Sequence, residues 1–270
     1  MNHKTLLSTL ALATLVAGTA KANEDITSPF YLPSDLETLS ETSVKYERTN
    51  IDDGGAKEDF ILRETALVGF GIENAVMVSV GNRFNFKYLT NEDYNNDLNL
   101  DYELGLKKNW RSENGWVMQT GASYYTYNPR SWYGRSGEAK KEIRKEYGNT
   151  RWYKELNGEV KLGKELEDGL MPYGSLALSG NIDDADRNLY YTAFAGVHKL
   201  ENDFSYNAGL RYEFETTDNK DETLSVQGSA DYFVNDTVSI GGIVDYRLTG
   251  SENPDLDYAY SAEARLKILF

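Results

Sequence analysis

Apolar residues recur at every second position over most of this 270-residue chain. The clearest run is FSYNAGLRYEFET at 204–216. Phe204, Tyr206, Ala208, Leu210, Tyr212 and Phe214 share one face, and Ser205, Asn207, Gly209, Arg211, Glu213 and Glu215 share the other. A period of two is that of a β-strand. The apolar face is also graded, with aromatics at both ends and Ala and Leu between them. A soluble sandwich gives no reason for that grading. A membrane barrel does, because the ends of its lipid-facing strands lie at the water interfaces where aromatic rings settle.

Twelve such segments follow from the pattern, at about 38–48, 59–72, 76–88, 97–108, 116–127, 150–163, 170–181, 189–199, 204–216, 223–233, 237–248 and 257–270. The connections alternate in kind. Those after even strands are tight (72–75, 109–115, 164–169, 200–203 and 234–237), and those after odd strands are longer and mostly acidic (49–58, 89–96, 128–149, 182–188, 217–222 and 249–256). Ten residues at ~3.3 Å each, tilted ~40°, rise about 25 Å, the height of a lipid-facing band. The expectation is all-β: a transmembrane antiparallel up-and-down barrel of about twelve strands, with the short turns and both termini in the periplasm.

The first residues carry a different signal. MNHK is a short basic start, Leu6 to Val16 is an apolar stretch too short to span a bilayer, and Ala20-Lys21-Ala22 has the form of a cleavage site. Residues 1–22 are therefore expected to be a signal peptide cut after Ala22, with Ala20 the other small residue of the site. Residues 23–37 form a short N-terminal periplasmic lead, and 38–270 the barrel. With only about fifteen residues before the first strand, an autotransporter passenger is not expected.

Composition narrows the function. After cleavage, 26 basic residues face 43 acidic ones, which argues against nucleic acid as a partner. Cysteine is absent, which excludes a disulfide-stapled scaffold, and no His/Cys cluster offers a metal site. Hydrolysis by outer-membrane barrels usually relies on a His beside Ser or Asp. The mature chain has one, His198, at the periplasmic end of its strand, away from the outer rim where an enzyme of this kind would work. No enzyme activity and no cofactor are expected.

The final strand, YAYSAEARLKILF, resembles the carboxy-terminal assembly signal of bacterial outer-membrane proteins. Phe270 is the terminal aromatic, with Ile268 and Leu266 at alternate positions before it. Arg265 stands where that pattern usually has Gly. The resemblance implies insertion by the barrel-assembly machinery into the bacterial outer membrane, in contact with its lipid and lipopolysaccharide. In size and strand number the chain is similar to small oligosaccharide- and sialic-acid-specific porins, a likeness of architecture only.

Twelve strands ~4.8 Å apart, tilted ~40°, enclose a backbone cylinder about 24 Å across, with on the order of 12 Å free between side chains. The inward phase is rich in charge. Lys45, Arg83, Arg211 and Arg265 fall near mid-height on one arc and Glu103, Glu155 and Glu159 on another, with Asp245 and Glu263 also inward. Opposed arcs would set a transverse field across a constriction. Alternatively the same charges pair with one another, Glu263 with Lys45 for example, inside a filled barrel. The basic loop 128–149 could fold into the mouth or remain outside it. The sequence thus predicts a passive porin-like channel for small hydrophilic solutes. The alternative is a non-conducting structural or surface-adhesion barrel contacting lipopolysaccharide or external partners.

Overall fold

The computed structural model describes residues 25–51, 55–88, 97–128, 153–182, 189–216, 222–249 and 257–270. The expected signal peptide and the long connections, including 129–149, lie outside them. Twelve strands form: β1 (Thr38–Ile51), β2 (Gly55–Gly69), β3 (Asn74–Tyr88), β4 (Asp97–Arg111), β5 (Trp116–Asn128), β6 (Tyr153–Lys164), β7 (Leu170–Asn181), β8 (Leu189–Glu201), β9 (Phe204–Glu215), β10 (Glu222–Asn235), β11 (Val238–Thr249) and β12 (Asp257–Leu269). Each pairs with its sequence neighbours, and β1 pairs antiparallel with β12 to close the barrel. Closure removes both sheet edges, so every strand finds backbone partners on both sides.

Burial is inverted relative to a water-soluble core. Val44, Val78, Leu104, Leu156, Leu176, Leu210 and Val244 are exposed on the outer face, whereas Ser43, Ser79, Asp101, Ser225, Asp231 and Ser261 are buried within. Such an outer face is stable only against an apolar surrounding, which makes it a lipid-facing surface. The graded strand of the opening pattern, β9, behaves in this way. Phe204, Tyr206, Leu210 and Tyr212 are exposed outside, and Ser205 is fully buried inside.

β2 departs from the sequence reading. It begins at Gly55 and stops at Gly69 instead of running over 59–72, because Phe70–Glu73 form the turn. The Phe70 amide donates to the Asn74 carbonyl at 3.0 Å, and Glu73 adopts φ 57° to reverse the chain. The turns at 112–115 and 166–169 place Gly115 at φ 78° and Gly169 at φ 77°, a region that glycine enters without steric cost. At the seam, the Phe270 amide donates to the Thr38 carbonyl at 2.8 Å and the Thr38 amide to the Phe270 carbonyl at 3.2 Å. The last residue thereby locks to the first strand. Leu266 and Ile268 pair with Thr42 and Ser40 in the outward phase.

Candidate functional site: the lumen and its short-turn mouth

The inter-strand register assembles one inward belt across seven strands. It runs Asp101 (β4), Gly81 (β3), Arg63 (β2), Ser43 (β1), Arg265 (β12), Gly241 (β11) and Asp231 (β10), each residue opposite the next. The belt reads the same from either end. In each half an aspartate reaches over a glycine to an arginine two strands away. A Cβ at Gly81 would overlap the Asp101 carboxylate, and one at Gly241 would overlap the Asp231 carboxylate and the Ala230 carbonyl. The glycines are thus the floor on which the ion pairs lie.

The halves differ in depth. Arg265 Nε donates to Asp231 Oδ1 at 2.8 Å, and its Nη2 pairs with Oδ2. Asp231 is fully enclosed and Arg265 nearly so. Arg63 Nη2 lies 3.4 Å from both Asp101 oxygens, and the Arg63 side chain is 39% exposed. Gly241→Ala is expected to push the Asp231 carboxylate off Arg265 and to cost about 1–3 kcal/mol. Gly158→Ala is the control, since a Cβ there meets nothing within 4 Å. Chemical denaturation of the two variants in lipid vesicles measures the difference, and equal costs would show that Gly241 is not that floor.

The other charges chosen from sequence take the following places. Arg211 Nη2 pairs with Glu213, and its Nη1 lies 3.7 Å from Asp245. Lys45 pairs with Glu47, and Glu263 stands directly opposite it in register. Glu103 accepts from the Ser123 hydroxyl at 2.5 Å. Glu159 lies 3.4 Å from Lys161, and in register it faces Lys107 across Gly121. Glu155 is on β6 opposite Tyr125 and Asn181. The Arg83 side chain lies outside the described residues. Both walls therefore carry both signs: Arg265, Arg211, Asp231 and Asp245 on one, and Glu103, Glu159, Lys107 and Lys161 on the other. The alternation of the strands pointed every one of these residues inward. It did not pair them, because pairing follows from register.

Residues 25–37 carry no periodic pattern, and the structure puts them inside the short-turn mouth. Ile26 clusters with Leu39 of β1 and Leu269 of β12, with Leu67 and Phe233 packed against that cluster. Phe30, fully buried, packs with Val117 of β5 and Met171 of β7. Its ring meets Tyr173 edge-on at 6.0 Å and lies against Gly163, where a Cβ would stand 2.6 Å away. The β1/β12 seam and β6 are half-way round the barrel from one another, so the segment crosses the opening from wall to wall. Each anchor contributes roughly 1.5–3 kcal/mol of burial.

Polar contacts fix the crossing. The Phe30 carbonyl accepts from Asn109 Nδ2 at 2.7 Å and the Pro29 carbonyl from Lys161 Nζ at 3.5 Å. The Thr27 hydroxyl lies 2.6 Å from Ser205 Oγ. Gly69 donates to the Glu37 carbonyl at 2.9 Å, and a side chain on Gly69 would strike the Ser34 carbonyl. His198, buried on β8, holds Asp25: Nε2 is 2.5 Å from Asp25 Oδ2, and Nδ1 is 3.2 Å from Asn207 Oδ1. Burial alone would raise the Asp25 pKa, but the hydrogen bond and charge of His198 and the bonds from Thr27 outweigh it and hold the carboxyl below its usual value. A lowered folded-state pKa means that this contact supports docking above about pH 4 and fades as pH falls through the depressed value. His198, which the sequence places at the periplasmic end of its strand, is a ligand for the chain's own lead. The signal was present in the sequence only as scattered apolar residues, Ile26, Phe30, Leu32 and Leu36, without a period in a Pro-punctuated stretch.

No family model matches the sequence, and no curated protein does. Solved structures do match. An outer membrane channel from Pseudomonas putida F1 aligns with a TM-score of 0.65 at 12% identity, covering 92% of this chain and 100% of that one. The NanC porin aligns at 0.57 and 11% identity, over 85% of this chain and 98% of that one. The beta domain of the Bordetella autotransporter BrkA aligns at 0.52 and 12% identity, over 87% and 100%. The fold is that of bacterial outer-membrane β-barrels.

Proposed function

We propose that this protein is a channel for small hydrophilic solutes in the bacterial outer membrane, delivered there by a cleaved signal peptide and inserted through the Phe270-terminated strand. The observation that carries this reading is the lumen. A closed twelve-strand barrel is wide enough to enclose a water-filled path, and its inner wall presents Arg63, Arg211, Glu103, Glu159, Lys161 and Glu263 rather than an apolar packing. The likeness to proteins named as a channel and a porin supports it. A catalytic role is not proposed. His198, the histidine that a hydrolytic site would use, is enclosed between Asp25 and Asn207.

A second reading, a non-conducting barrel contacting lipopolysaccharide or external partners, draws on the lead that crosses the mouth. Ion conductance in planar bilayers separates the two. Full-length protein, as wild type and as the double variant Ile26→Ser/Phe30→Ser, is expected to give discrete conductance steps. Correctly folded protein that gives none in either form would remove the channel reading in favour of the closed barrel.

A further inference from the structure

We infer that residues 25–37 are an autoinhibitory plug: docked, they close the short-turn mouth, and the lumen conducts only when they leave it. The inference rests on the channel reading and adds its regulation. Three observations carry it.

The segment crosses the opening from wall to wall. Ile26 is seated at the β1/β12 seam, and Phe30 on the far wall formed by β5, β6 and β7. Between and beside these anchors, contacts reach β4 through Asn109, β6 through Lys161, β8 through His198 and β9 through Ser205. No single wall holds the segment, as would be expected of a lining.

The segment is also separable from the barrel. None of its residues supplies a strand, and β1 begins only at Thr38, after the reversal at Leu36 with φ 65°. The twelve-strand ladder closes through β1 and β12 without it. Departure of the plug therefore breaks no inter-strand pairing.

The groups that it leaves behind tolerate water. Asn109, Lys161, Ser205, Asn207 and His198 are polar and already belong to a hydrophilic wall. Asn109 keeps Gln119, whose Nε2 donates to its Oδ1 at 2.9 Å, and Asn207 keeps Ser229 at 3.3 Å. The apolar surface exposed is the seat of Phe30, at Val117, Met171, Gly163 and Tyr173, and that of Ile26, at Leu39 and Leu269. Undocking thus trades two buried side chains and a few hydrogen bonds for hydrated polar groups, a reversible exchange rather than an unfolding.

The chain has no cysteine, so one engineered pair is unambiguous. The Thr27 and Ser205 oxygens, 2.6 Å apart, stand where two bonded sulfurs would fit. Full-length Thr27→Cys/Ser205→Cys is measured in planar bilayers, oxidised and then reduced, beside wild type and Ile26→Ser/Phe30→Ser. Loss of two buried apolar anchors shifts the docked-to-undocked ratio by about a hundredfold or more. The oxidised protein is therefore expected to be shut, and the anchor variant to be open for most of the recording. Oxidised protein that conducts like the anchor variant would overturn the plug, as would wild type and anchor variant conducting equally. Silence of every form, the anchor variant included, would instead defeat the channel reading itself. Because reduction is carried out on one folded sample, a change on reduction cannot come from misfolding.

Discussion

Arg265→Ser is expected to destabilise the barrel by about 3–5 kcal/mol, the cost of leaving a buried charge without its partner. Asp231 is fully enclosed, and its carboxylate receives two guanidinium contacts from Arg265. Asp231 is almost inaccessible to water that could replace them, with Ser205 opposite it in register and Ser229 Oγ 3.5 Å from Arg265 Nη2. Removing both members, Asp231→Ser/Arg265→Ser, is expected to recover most of the loss, since no uncompensated charge then remains. The same cycle on the other half of the belt, Arg63→Ser with Asp101→Ser, is expected to show a smaller coupling. Arg63 is part-exposed, and its contacts at 3.4 Å are longer. Denaturant titration of folded protein in lipid vesicles reads both cycles. If Arg265→Ser costs no more than the double variant, the pair is not the structural lock that its burial implies. The substitution also leaves the lumen one positive charge poorer, so reversal potentials in a salt gradient are expected to move toward cation preference.

Ala208→Arg carries the second large effect, about 2–4 kcal/mol, because it places a charge on the lipid face near the middle of β9. Ala208 lies between Val197 of β8 and Gly228 of β10 in register, all in the outward phase. The adjacent inward residue, Asn207, is an unsuitable control. Its amide meets Tyr173, His198 and Ser229, so a substitution there disturbs the mouth as well as the phase. Ser179 of β7, which pairs with Asn157 and Tyr190 in the inward phase, is the better comparison. Ser179→Arg is expected to cost much less, and vesicle-based unfolding of the two variants is the measurement. Equal costs would mean that the outer face does not meet lipid.

Strand identity, phase and closure into a barrel were legible in the residue pattern alone. A side chain's face is a purely local property of a strand, repeated every two residues, so Ala208 and Asp231 declare their sides without knowledge of any partner. Even the count is local, because each strand is bounded by its own turn. The belt from Asp101 to Asp231 is a different matter. Its members are scattered over seven strands, and only the register of six neighbouring pairs brings Gly81 beneath Asp101 and Gly241 beneath Asp231. A slip of one residue at any of these pairs would turn a member outward and leave its partner alone. The plug is further still from the sequence. Residues 25–37 have no periodicity, since a segment that crosses a lumen once touches a different wall at each residue and repeats nothing. What seats Ile26 at the β1/β12 seam and Phe30 on Gly163 is the closed wall itself, which exists only once all twelve strands have paired.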